Sequence, residues 1–157
     1  MKRFSLTELV ISIVAEELVG ALSALISGDF TGFYSEVARP PLSPPGAVFP
    51  VVWAILYALM GASAYIVYRH EENRGRDCAL KLYAVQLAVN FSWSIIFFRF
   101  RAFGAAAVVA VVLAVLVGVM ILMFRRISKK AAVMNLPYLA WLIFASYLAI
   151  GVWVLNR

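Results

Sequence analysis

Five apolar runs divide this chain: 5–26, 47–68, 79–98, 102–124 and 131–155. Each is about 20 residues or slightly more, the length a helix needs to cross the hydrocarbon of a bilayer. Strands of a membrane barrel would be about half as long and would alternate apolar with polar residues. These runs do not alternate. The expectation is an all-α fold: a polytopic membrane protein, a five-transmembrane-helix bundle forming one domain over 1–157. Composition agrees. The chain is 64% hydrophobic, against roughly 45–50% for soluble domains, with a mean hydropathy of +0.92.

The charges lie between the runs. A net charge of +6 would suggest nucleic acid in a soluble chain. In a chain this apolar it marks the cytoplasmic membrane face, so the partner expected is a lipid bilayer and not nucleic acid. The N-terminus and the second and fourth loops carry Lys2, Arg3, Arg69, Arg74, Arg76, Lys81, Arg125, Arg126, Lys129 and Lys130. The other side carries Arg39, Arg99, Arg101 and Arg157. The positive-inside rule then places the N-terminus in the cytoplasm of a bacterial cell, with loop 1 and the C-terminus outside. The first run follows Lys2 and Arg3 but contains Glu16 and Glu17 and ends in no small-x-small site, so it reads as a helix of the mature protein rather than a signal peptide. One cysteine, Cys78, and one histidine, His70, leave no disulfide and no metal set to expect.

Loop 1, residues 27–46, is stiff at its end. Pro40, Pro41, Pro44 and Pro45 flank Leu42 and follow Arg39; each fixes φ and removes a donor, so this stretch is not ordinary helix. It reads as a lid over whatever lies beneath. Pro50 then sits in the opening turn of the second run, where a missing N–H costs little. Phe49, Trp53 and Tyr57 follow at i, i+4, i+8 and put three rings on one helix face.

Polar residues inside the runs mark candidate sites. Glu16 and Glu17 stand near the middle of the first run, where a carboxyl costs a few kcal/mol. Glu8, Ser12, Glu16, Gly20 and Ser23 share a face that points into the bundle. The pair is either a proton or cation site, a partner for a ligand's charged edge, or a protonated and hydrogen-bonded glutamate. Gln86, Asn90 and Ser94 form a second polar stripe, fit either for interhelical bonding or for a polar group on an apolar ligand. Ala106, Ala110, Ala114 and Gly118 form a small packing face, within the bundle or between subunits. Tyr138, Trp141, Ala145 and Leu148 share a face of the last run, behind Pro137.

Three segments carry a resemblance: PVVWAILYALMGASAYIVY (50–68), QLAVNFSWSIIFF (86–98) and PYLAWLIFASYL (137–148). With the proline loop RPPLSPP they resemble the translocator protein family, the TspO/peripheral benzodiazepine receptor family, from about Phe33 to Trp153. The resemblance implies a dimeric five-helix membrane protein with a ligand pocket under loop 1. The implied ligands are porphyrins such as protoporphyrin IX and apolar compounds of the benzodiazepine type, and animal members also bind cholesterol. Carried over by position, Trp53, Asn90, Trp141, Ala145 and Leu148 line the pocket and Tyr34 belongs to the lid. Tyr57 and Tyr138 would add stacking rings, and Arg39 could meet a propionate. No cofactor is required beyond porphyrin as ligand. Some bacterial members break down porphyrin in light; here that would run through Trp53 and Trp141, since no triad or phosphate loop is present. A small proton-coupled transporter centred on Glu16 is a further alternative. The pattern departs at Leu42 and Phe91, where the family has tryptophan, at Ala105, where animal members do, and at Ile150 and Val154, which break the C-terminal sterol motif.

Overall fold

A computed structural model describes residues 1, 3–28 and 30–157, the side chains of Phe30 and Thr31 excepted. Lys2, counted above toward orientation, and Asp29 of loop 1 lie outside the described residues. Among the described residues, five helices are long and apolar enough to span a membrane. In chain order the elements are α1 (Leu6–Ser27), α2 (Phe30–Glu36), α3 (Val48–Tyr68), α4 (Arg74–Ser94), α5 (Phe103–Ile127), α6 (Lys129–Met134) and α7 (Leu136–Leu155). A π-helical turn, Ile95–Arg99, ends α4.

Two boundaries differ from the sequence reading. The third span begins at Arg74, because the Asn73 side chain caps it by accepting from the Arg76 N–H at 2.9 Å. The fifth is two helices. Ser128 caps α6, and Asn135 ends it; Pro137, in the first turn of α7, has no N–H to carry the hydrogen-bond ladder across the junction. Loop 1 also contains α2, which no periodic pattern announces. The proline stretch after it is not helical, as expected.

α1 and α3 run antiparallel and touch through two glycines. The Ser12 hydroxyl donates to the Gly61 carbonyl at 2.8 Å, and a Cβ on Gly61 would stand 2.8 Å from the α1 backbone at Ser12 and Ile13. Such close approach is how helices associate where lipid removes the hydrophobic drive. Gly20 likewise gives way to the Tyr57 ring. The Tyr65 hydroxyl donates to the Ser5 carbonyl at 2.9 Å and ties the start of α1 to the end of α3. The outer face of α1 exposes Leu6, Val10, Val14, Leu18, Leu22 and Leu25, a surface suited to lipid.

The remaining helices close around two apolar clusters. One, away from loop 1, holds Met60, Val67, Tyr83, Val117, Met120, Phe124 and Tyr138. The other, beside loop 1, holds Phe33, Trp93, Phe97, Phe98, Ala106, Ala110 and Ala149. The small face of α5 is thus used within the bundle at Ala106 and Ala110, whereas Gly118 meets nothing.

Candidate functional site

A cavity of about 220 Å³ lies between α1, α3 and the end of α4. The proline turn delivers Phe49 and Pro50 to its wall, and the next two turns of α3 add Trp53 and Tyr57. α4 contributes Trp93, Ser94 and, through the π turn, Phe98. α1 contributes Glu17, Gly20 and Ser23. Trp53 and Tyr57 lie with ring centroids 5.5 Å apart, and Trp93 is held by donating from Nε1 to the Ala106 carbonyl at 3.1 Å. The wall carries five aromatic rings among small side chains, a composition suited to a flat apolar ligand.

A second, more open groove of about 460 Å³ runs between α3 and α7, lined by Val52, Leu56, Pro137, Trp141 and Phe144 among others. Phe49 stands between the two. It lines the first cavity, and its ring lies 5.7 Å from that of Trp141.

The structure therefore sorts the residues singled out from sequence. Trp53 and Tyr57 line the cavity, and Trp141 lines the groove. Tyr138 is wholly buried behind Trp53, and Ala145 and Leu148 are buried in α7. Asn90 sits behind the cavity and donates from Nδ2 to the Tyr57 hydroxyl at 3.2 Å, which fixes that ring. Gln86, one turn away, accepts from the Tyr138 hydroxyl at 2.8 Å.

The two neighbouring acids part company. Glu17, half-buried, faces the cavity. Glu16, 7% exposed, turns into the bundle beside Gly61 and lies within electrostatic reach of Tyr83. It lines neither space. Of the polar stripe on α1, Ser12, Glu16, Gly20 and Ser23 face inward, and Ser23 donates to the Phe91 carbonyl at 3.0 Å. Glu8 does not: it is exposed.

Loop 1 covers this end of the bundle and is fastened by residues that sequence reading missed. Asn156 grips Ala38 twice, accepting from its N–H at 3.0 Å and donating to its carbonyl at 2.8 Å. Tyr147 donates to the Pro41 carbonyl at 2.8 Å. Pro40 is seated on Gly151, where a Cβ would collide with its ring. Glu36 pairs with Arg101, and Phe33 is buried among Phe97, Phe98 and Phe103. The spacing of Tyr147 and Gly151, one turn apart on α7, was the available signal. Tyr34 rests on Phe49 at 5.3 Å with the Arg39 guanidinium over its ring; burial pushes its hydroxyl up to about 12, against the pull of Arg39. Pro44 and Pro45 complete the turn, and Leu42 projects from it with φ of 68°, 83% exposed.

The family model for the TspO/MBR family matches residues 12–154. The chain is 35% identical to the tryptophan-rich protein TspO of Chlorobaculum tepidum over 79% of each chain. It is 34% identical to protein CrtK of Rhodobacter capsulatus, covering 97% of this chain and 94% of that one. It is 32% identical to the translocator protein of Ovis aries, covering 84% and 79% respectively. A match across nearly all five spans, with relatives of similar length, shows that this integral membrane protein belongs to the TspO/MBR family.

Proposed function

We propose that this translocator-like protein binds porphyrins such as protoporphyrin IX, and apolar aromatic compounds of the benzodiazepine type, beneath loop 1. One observation carries the reading: the cavity faced by Phe49, Trp53, Tyr57, Trp93 and Phe98, at the end of the bundle to which loop 1 is fastened. Aromatic walls suit a macrocycle, and few polar groups compete with it. Its 220 Å³ is below the roughly 300–1,000 Å³ of sites for drug-sized ligands. A porphyrin therefore displaces Phe49 and joins the cavity to the groove, which brings Trp53 and Trp141 to one ligand. Arg39, exposed at the lid, then meets a propionate.

The test is a titration of the purified protein with protoporphyrin in the dark, read by tryptophan quenching. Saturable binding is expected, weakened several-fold in both Trp53→Phe and Asn90→Ala. Binding indifferent to both changes would remove the pocket from this end of the bundle.

The same reading places loop 1 outside a bacterial cell membrane and the N-terminus in the cytoplasm. Ten of the fourteen basic residues stand on the N-terminal side. Cys78, exposed near the start of α4, makes a direct reporter. A membrane-impermeant maleimide added to intact cells is expected to leave it unlabelled, and labelling without lysis inverts the topology.

A further inference from the structure

The wall of the cavity combines rings with one acid. Among the described residues that line it, Glu17 is the only carboxyl, and no lysine or arginine is present. Glu17 has no hydrogen bond or ion pair among the described residues. Arg99, in the turn that ends α4, is engaged elsewhere, donating to the Ile26 carbonyl at 3.1 Å. Ile26 lies nine residues further along α1, about 13 Å at the rise of a helix. Glu16 stands behind the wall, and both carboxyls lie within electrostatic reach of the Tyr57 hydroxyl.

An acid facing rings in a largely apolar cavity is the chemistry that recognises an organic ammonium. The ring faces of Trp53, Tyr57 and Trp93 attract a cation through their quadrupoles, and the carboxyl supplies the opposite charge. Each contact gains strength where water is excluded. A neutral aromatic ligand uses the rings and leaves the acid without a partner. A ligand bearing a protonated amine uses both. We propose that the cavity between α1, α3 and α4 selects aromatic ligands carrying a protonated amine, with Glu17 as the residue that sets this preference. The inference rests on the reading of this cavity as a ligand site and names the class it favours. It also gives an amphiphilic ligand a direction: positive or N–H-bearing groups inward at Glu17, carboxylates outward toward Arg39.

Two probes of one ring size separate charge from shape. 1-Pyrenemethylamine, protonated at pH 7.5, and neutral 1-pyrenemethanol are titrated by pyrene fluorescence against the protein in a non-ionic detergent, with empty micelles subtracted. The wild type is expected to bind the ammonium at least about tenfold more tightly. Glu17→Gln brings the ammonium down to the affinity of the alcohol. Glu8→Gln, which changes an exposed acid on the same helix, keeps the preference. Circular dichroism melting shows that each variant is folded. Equal affinities in the wild type, or a preference that survives Glu17→Gln, overturn the assignment and leave the cavity as a neutral aromatic site. Absence of saturable binding by either probe removes the assignment together with the ligand-site reading beneath it.

Discussion

The two ends of this bundle use the same helices and pack them differently. Away from loop 1, Met60, Val67, Met120 and Phe124 are wholly buried, and Asn135 locks the α6–α7 junction by donating to Ser63 at 2.7 Å and to Ala131 at 2.9 Å. Toward loop 1 the helices leave a cavity and a groove, and loop 1 packs on that end. The difference separates two tasks. The dense end holds the helix axes in register, because interiors packed without voids do not deform continuously. The hollow end can then change its contents without loss of the fold. Side chains with one role at the dense end have two at the other: Phe49 closes a cavity and separates it from a groove, and Phe33 anchors the lid to the helices it covers.

Substitutions at the two ends are expected to sharpen that contrast. Met60→Ala opens a void at the dense end and is expected to cost about 2–5 kcal/mol, read as a fall in the melting temperature in detergent. Phe49→Ala removes a larger side chain beside existing space and is expected to cost less while speeding porphyrin association. If it destabilises as much as Met60→Ala, the contrast between the ends is lost. Asn135→Ala leaves the Ser63 hydroxyl short of its partner, and a loss of about 1–3 kcal/mol is expected, with ligand affinity unchanged. Asn156→Ala releases both bonds to Ala38. Stability should drop by only about 1 kcal/mol, but ligand dissociation, followed by stopped flow, should accelerate several-fold. An unchanged off-rate would mean that the lid does not retain the ligand. Ser12→Ala, which removes one interhelical bond, should cost about 0.6 kcal/mol in the same melting assay.

The five spans were legible because span length and hydropathy are local properties, and the aromatic face of α3 because its spacing is helical. What stayed hidden depends on partners far apart in sequence. Nothing near Asn156 announces that it holds Ala38, 118 residues away. Glu16 and Glu17 were read as a pair, yet consecutive helical residues point about 100° apart, so one meets Gly61 and the other the cavity. The carried-over positions on the last span share a helix face, but a face does not say which neighbour fills it. Trp141 reaches the groove while Ala145 and Leu148 are packed within the bundle. The break at Asn135 was half-visible, since Pro137 marks a helix start but not the short helix before it.

The π turn at Ile95–Arg99 sets how two consecutive rings are aimed at the end of α4. Such a turn closes i→i+5 hydrogen bonds and so holds one residue more than an α-helical turn, which shifts the register of the side chains around it. Here it lets the consecutive Phe97 and Phe98 both point inward, at 4% and 8% exposure, one stacked on Trp93 beneath Phe33 and the other on the cavity wall. The same short turn thus serves both the packing of loop 1, through Phe97 on Phe33, and the wall of the cavity, through Phe98. Deleting one residue between 95 and 99 is expected to change that register and move one of the two rings from its place, read as a lower melting temperature in detergent.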